Sequence, residues 1–506
     1  MADDNTSPSP TRNAPPFAEP RLPERPRRAA FAGAIVVLLA IVVGIGATFS
    51  ASRGQLARYF HQRAQQGATA TSYPTSVPTP TVVPLPPGND WSQYRFDLRG
   101  TGSNPETVLS ANNVSQLAPR WTVHMKASFE STPAVVDGVV YVTNGNSLYA
   151  FDLRTSAQLW RFDARPQKIA TVSSSVAVDS ALRLAFFGNP DARFYAVDTR
   201  TGQEAWSVQL SASRGAHIWS SPLLINGNVY IGLASHDDVP CVRGAIYALD
   251  EHTGKTIWTH YTVSANELGG AVWSSLTANP SLHELIATTG NPCPEGSSFG
   301  ESDSILGIDW TTGATRWSYQ ALSYDVCDCD FGQGAVDFEY QGQEYIIAGN
   351  KHGTVYALTR KPSGGAPHLA WSARISESGF LGKGGIFEPP AYSDGLVIVA
   401  GGPTLDGACD DGGLWALEPR TGREVWRVCT SGQVVGPAAV TNGLLFVPQQ
   451  DTLVAYQAST GRTLETFKQP GSTWGGVSVS HGFVLDGTVS DTLYCYALPP
   501  SAFAAG

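Results

Sequence analysis

Apolar residues follow two patterns along this chain. The first is one unbroken run, A-A-F-A-G-A-I-V-V-L-L-A-I-V-V-G-I-G-A-T-F, from 29 to 49, with no charged residue in it. At ~1.5 Å per residue it would span about 31 Å as a helix, the thickness of a bilayer's hydrocarbon core. It predicts one transmembrane helix over 29–50. The second pattern begins near residue 90, where apolar and polar positions alternate in short bursts, as in half-buried strands. One phrase recurs there: L-Y-A-F-D-L-R-T-S-A-Q-L-W from 148, F-Y-A-V-D-T-R-T-G-Q-E-A-W from 194, I-Y-A-L-D-E-H-T-G-K-T-I-W from 246 and I-L-G-I-D-W-T-T-G-A-T-R-W from 305. Degenerate copies start at 355, 414, 453 and 493, making eight. The Asp of the phrase falls at 152, 198, 250 and 309, intervals of 46, 52 and 59. That spacing suits one four-stranded unit with variable loops.

Each copy reads as a hairpin. Alternation builds a strand, Asp bonds the turn it opens, Thr-Gly supplies a left-handed residue, and a second strand closes on Trp. Segments upstream of each copy, such as S-S-P-L-L-I-N-G-N-V-Y-I from 220, add two more strands. Such a sheet cannot cover its own faces, so radial stacking is the stable arrangement, with Trp160, Trp206, Trp258, Trp317, Trp371 and Trp426, and Phe467 in the seventh copy, packed on neighbouring sheets. The expected fold class is all-β, an eight-bladed β-propeller over 90–498, preceded by one N-terminal transmembrane helix. A disordered cytoplasmic tail over 1–28, a juxtamembrane segment and Thr/Pro-rich linker over 51–89 and a short tail over 499–506 complete the organisation.

The composition agrees with this reading. Only 15% of residues are charged, whereas Gly (52) and Trp (13) are abundant. The formal charge of −10 argues against nucleic acid as a partner and leaves room for cations. Arg21, Arg25, Arg27 and Arg28 precede the apolar run, and Arg53, Arg58 and Arg63 follow it, so the positive-inside bias weakly favours a cytoplasmic N-terminus. The expected location is therefore the cell membrane, single-pass, with the propeller outside. A cleaved signal peptide is the alternative, disfavoured by the long leader and by Phe49 near the would-be cleavage site.

The chemistry-bearing stretch is S-Y-D-V-C-D-C-D-F-G, residues 323 to 332, where three carboxylates alternate with two thiols. Seven cysteines in an oxidising compartment leave at least one without an intrachain partner. Cys241 and Cys293 form the first expected bridge, and Cys409 and Cys429 the second. Cys327 and Cys329 either bridge each other or ligate a soft metal, and Cys495 reads as a buried apolar residue.

The repeated phrase resembles that of the pyrroloquinoline quinone (PQQ) dehydrogenases, which are eight-bladed propellers, and the match covers most of 90–498. The opening D-W-S-Q-Y-R-F-D-L-R-G-T-G-S-N-P-E from Asp90, running on to R-W-T, is similar to the start of these enzymes, where the W-T strand completes the last blade. The segment G-G-A-V-W-S-S-L…T-T-G-N-P resembles the one in which a Trp floors the quinone and an Asn ligates the metal; here these are Trp273 and Asn291. From the residues alone, Trp273 also reads as a core aromatic and Asn291 as a turn residue. The 323–332 stretch aligns with the family's H-D-x-W-D. That resemblance implies Asp325 as the first acid, Asp328 as catalytic base and metal ligand, and Asp330 as the additional metal ligand of lanthanide users. Tyr324, Cys327 and Cys329 depart from it. Lys351 and Arg243 match cofactor-binding positions. The metal-ligating Glu expected before V-R-G is missing, with only Asp237 or Asp238 nearby, as is the adjacent Cys-Cys pair of several relatives. The implied cofactors are PQQ with Ca²⁺ or a lanthanide. No C-x-x-C-H occurs, so no haem is expected and electrons would pass to a separate acceptor. The alternative is a non-catalytic binding or scaffold propeller similar to outer-membrane assembly lipoproteins.

Overall fold

The computed structural model describes residues 89–499 apart from 166–170, 237–239, 295 and 380–383. The expected tail, transmembrane run and linker before residue 89 lie outside the described residues. Among the described residues no helix is long and apolar enough to cross a membrane.

The eight copies form eight sheets built on four antiparallel strands each; Ala216–His217 adds a fifth strand to the third sheet and Ser103–Asn104 a parallel fifth strand to the seventh. Blades 1 to 7 span 134–163, 177–209, 223–261, 277–320, 336–374, 391–429 and 439–468. Blade 8 takes three strands from 478–497 and its outermost from Ala118–His124, which pairs with Thr492–Ala497. This is the ring closure expected of the W-T strand.

The register shows why the phrase has its composition. The residue opposite each Trp is small: Ala150 faces Trp160, Ala196 faces Trp206, Ala248 faces Trp258, Ala357 faces Trp371 and Ala416 faces Trp426. In blade 8 Cys495, buried and unbridged, faces Trp121 in the same way. Each indole then docks on the next blade's turn. Trp160 Nε1 donates to Thr199 O (2.7 Å), Trp206 to Glu251 O (3.1 Å), Trp258 to Trp310 O (3.0 Å), Trp371 to Pro419 O (2.8 Å) and Trp426 to Ala458 O (3.1 Å). Trp121 closes the ring on Leu153 O (2.8 Å). The turn glycine lies against the same ring. A Cβ on Gly254, where φ is +71°, would sit 2.5 Å from Trp206. Gly is therefore required twice, by the left-handed backbone and by the docked indole.

Two positions depart from this scheme. Blade 5 reads T-R-K-P-S-G-G and has no Thr-Gly turn for Trp317 to dock on. Trp317 instead folds over Gly307 of its own blade, the one glycine at the small position, and donates to Glu284 Oε2 (3.0 Å). The join to blade 5 is ionic: buried Arg360 pairs with Glu284 (2.7 Å) and Glu344 (2.8 Å). In blade 7 the position opposite the small Ala455 is Glu465, and Phe467, two residues further on, packs on Tyr496 of blade 8 with ring centroids 4.9 Å apart.

Residues 91–104 run across the inner edges of the blades. Backbone hydrogen bonds reach Trp91 O from Val135, Ser92 O from Val178, Leu98 O from Ala278, Arg99 O from Asp337, Thr101 O from Tyr392 and Gly102 O from Val440. Asn104 adds blade 8 by donating to Val479 O (2.8 Å). The buried guanidinium of Arg95 donates to Ala438 O (2.6 Å) and Pro390 O (2.9 Å), tying blades 6 and 7 to this segment.

Candidate active site

Antiparallel four-stranded blades place the Thr-Gly turns at one end of the ring. The second-to-third-strand and blade-to-blade connections emerge at the other, and every expected site residue lies in them. Trp273 precedes the inner strand Thr277–Asn279, Asn291 follows Glu284–Thr288, Asp325 to Asp330 lie between Thr315–Gln320 and Val336–Tyr340, and Lys351 lies between Gln343–Gly349 and Thr354–Arg360. Five of them, Trp273, Asn291, Asp328, Asp330 and Lys351, line one cavity of about 550 Å³.

Within it, Asn291 Nδ2 donates to Asp328 Oδ1 (3.1 Å), and Lys351 Nζ contacts both Asp328 Oδ1 (2.6 Å) and Asp330 Oδ1 (2.5 Å). Trp273 Nε1 donates to Asp330 Oδ2 (3.0 Å), and the ammonium lies 5.0 Å from the centroid of the Trp273 ring. Asp330 is buried, whereas the Asp328 side chain is 37% exposed and faces the cavity. Burial pushes Asp330 up to about 6 despite Lys351, and burial with the charges of Asp330 and Asp325 pushes Asp303 up to about 8. Burial alone would favour neutral Lys351, but Asp330 and Asp328 outweigh it and hold the ammonium charged.

The donor set suits a hard cation. Asn291 Oδ1 is buried and accepts no hydrogen bond among the described residues, and two carboxylates stand beside it. Oxygen donors of this kind favour Ca²⁺ or a lanthanide over a soft metal.

Asp325 does not reach the cavity. Its carboxylate is turned back to accept the backbone N–H groups of Cys327 and Cys329 (2.8 Å each). Arg243 is also not among the cavity-lining residues; its guanidinium lies 3.8 Å from the Tyr261 ring centroid and donates to Val263 O (2.7 Å). Its backbone is bridged to Gly269 of the Leu268–Gly269 strand, and its side chain is taken up by Tyr261 and Val263. Asp237 and Asp238 lie outside the described residues. The sulfurs pair as Cys241–Cys293, Cys409–Cys429 and Cys327–Cys329. The last pairing removes the soft-metal alternative, because both sulfurs near His352 are joined to each other.

The structure adds residues that sequence reasoning missed. Trp219, His236, Glu130 and Trp474 also line the cavity. Repeat alignment carried a signal for Trp219: I-W-S-S-P at 218 matches V-W-S-S-L at 272 and V-S-S-S-V at 172. The shared serine forms a belt under the cavity. The backbone N–H of Thr132 donates to Ser175 Oγ, that of Ser175 to Ser221 Oγ and that of Ser221 to Ser275 Oγ (2.9 to 3.0 Å), linking the inner connections of four successive blades.

Known proteins resemble this chain in sequence and in fold. The chain is 26% identical over 480 residues to the quinoprotein alcohol dehydrogenase PedH of Pseudomonas putida, covering 73% of this chain and 80% of that one. It is 25% identical over 411 residues to the polyvinylalcohol dehydrogenase of a Sphingopyxis species, covering 71% of this chain but only 62% of the relative. Among solved structures, a europium-containing methanol dehydrogenase superposes with a TM-score of 0.69 at 18% identity, over 81% of this chain and 98% of that one. The outer-membrane assembly factor BamB of Moraxella catarrhalis gives 0.55 at 15% identity, over 75% and 99%. The sequence profile of BamB matches residues 351–494. Residues 91–369 match the PQQ family, described as the β-propeller domain of glucose/ethanol/alcohol dehydrogenases, and the chain belongs to that family.

Proposed function

We propose that this protein is a PQQ-dependent dehydrogenase that oxidises an alcohol or sugar with the help of Ca²⁺ or a lanthanide. In this reading the 29–49 run tethers it to the membrane, the propeller lies outside, and a separate acceptor takes the electrons. The observation that carries the reading is the convergence of Trp273, Asn291, Asp328, Asp330 and Lys351 on one cavity.

Asn291, Asp328 and Asp330 would hold the cation, and Trp273 would present its ring to the flat cofactor. When bound, PQQ with its cation supplies the hydride acceptor. The rest of the chemistry belongs to the chain. Asp328 is the solvent-facing carboxylate of the cluster and takes the substrate hydroxyl proton on its carboxylate. Lys351 compensates Asp328 and Asp330 and adds positive charge for an anionic cofactor. Asp330 anchors both the Trp273 indole and the Lys351 ammonium, so the floor and the charge stay in register.

The test is dye reduction by the full-length chain supplied with PQQ and Ca²⁺ or La³⁺ over an alcohol and sugar panel. Turnover that falls at least ~10²-fold in Asp328→Asn supports the base assignment, since general-base contributions are about 10²–10⁴-fold. Turnover retained in that variant refutes it. One observation favours the second reading, a scaffold propeller: the Lys351 ammonium already bridges both carboxylates. Absence of quinone binding and turnover with either cation would select that reading.

A further inference from the structure

Asp328 lies between two bonded cysteines. The Cys327–Cys329 bridge spans a sequence separation of 2 and holds the two Cα atoms 5.1 Å apart. An extended dipeptide step would separate them by about 7 Å, so the bridge keeps this tripeptide from extending. Asp328 itself adopts φ +52°, a left-handed conformation that Asp visits only as an isolated residue. The 15 residues between Gln320 and Val336 contain no regular strand, so no sheet ladder sets the direction of the Asp328 side chain. Backbone bonds hold its flanks, from Gly296 N–H to Asp325 O (2.6 Å) and from Lys351 N–H to Asp330 O (2.9 Å), while the tip itself is tied by the bridge and by the Asp325 carboxylate, which accepts both cysteine N–H groups.

We propose that the Cys327–Cys329 bridge is a positioning device for Asp328 and that a dithiol reductant reversibly switches it off. The inference rests on the reading of Asp328 as a cation ligand and base. The two sulfurs differ in a way that gives the exchange a direction. Cys327 is exposed, while Cys329 is buried with its Sγ 3.7 Å from both His352 Nδ1 and Ser378 Oγ. A thiolate of the dithiol attacks Cys327 Sγ, the S–S bond breaks, and Cys329 leaves as a thiolate beside the Ser378 hydroxyl and the His352 ring. The second thiol then displaces Cys327. The dithiol ends as a cyclic disulfide, and two electrons and two protons end on Cys327 and Cys329. With the bridge open the tripeptide can extend, and the Asp328 carboxylate leaves Asn291 and Lys351.

Two measurements on the full-length chain decide this. The first compares crystal structures of the wild type, of wild type treated with dithiothreitol until alkylation and mass spectrometry show 327 and 329 opened, and of Cys327→Ser/Cys329→Ser. The expected result is loss of the 2.6 Å contact from Lys351 Nζ to Asp328 Oδ1 in the two opened forms and its return on reoxidation of the wild type. The second is Tb³⁺ titration, read by luminescence sensitised through the cavity tryptophans. At least a tenfold weaker affinity is expected in the opened forms, restored by reoxidation. An Asp328 carboxylate still on Lys351 in the opened forms, or a Tb³⁺ affinity within twofold of wild type, overturns the proposal. A wild type that binds no Tb³⁺ defeats the cation-site reading instead, and the crystallographic comparison still decides the role of the bridge.

Discussion

Alanine at Gly254 and at Gly227 should cost different amounts, although both glycines sit in blade 3 with φ values of +71° and +79°. A Cβ at 227 meets nothing within 4 Å, so Gly227→Ala incurs only the left-handed backbone, about 1–2 kcal/mol. At 254 the Cβ would fall 2.5 Å from Trp206 Cε3, and the indole cannot move freely because Nε1 is bonded to Glu251 O. Overpacking a fitted contact adds about 1–3 kcal/mol, for a total of about 2–5 kcal/mol. Urea unfolding of the full-length variants, followed by tryptophan fluorescence, reads the difference directly. Equal destabilisation by the two substitutions would show that the turn glycines serve backbone geometry alone and that the indoles do not pin the blades.

Trp258→Ala removes both a docked ring and its hydrogen bond to Trp310 O and should cost about 3–5 kcal/mol by the same assay. Lys351→Ala leaves buried Asp330 without its ammonium and should destabilise by about 3–5 kcal/mol, with La³⁺ restoring part of the loss in a thermal melt. Asp486, buried in blade 8 and accepting from Thr473 (2.9 Å), is pushed by burial up to about 7. Its folded-state value lies above the ordinary 3.8, so its stabilising effect is complete below about pH 4 and is lost as pH rises through about 7. Asp486→Asn does not titrate, and its melting temperature relative to wild type should therefore rise between pH 5 and pH 8; a constant offset would contradict this.

The blades were legible because the phrase carries its physics locally: alternation, Asp at the turn, Gly where φ is positive and a closing Trp. The Trp317 exception was equally present in the sequence, as Gly307 in place of Ala and a blade 5 phrase without Thr-Gly, but its meaning appears only when Arg360 is brought against Glu284. The central segment was less legible. Residues 91–104 have no period, and their partners lie up to several hundred positions away, so nothing local signals that their carbonyls serve successive blades. At the site, the fold brings Trp273, Asn291, Asp328, Asp330 and Lys351 to one cavity. Arg243 does not join them, because Tyr261 at the end of blade 3's outer strand and the carbonyl of Val263 just beyond it hold its guanidinium. Trp474 escaped notice because its T-W-G-G context shares too little with V-W-S-S-L.

The proposed activity requires this cavity to hold a quinone over Trp273 with a hard cation on Asn291, Asp328 and Asp330. Calorimetric titration of PQQ into the full-length chain, with La³⁺ or Ca²⁺ and without either, measures this binding. The expected result is saturable binding of one quinone per chain that depends on the cation and is lost in Asn291→Ala. No binding with either cation, or binding untouched by Asn291→Ala, would contradict it.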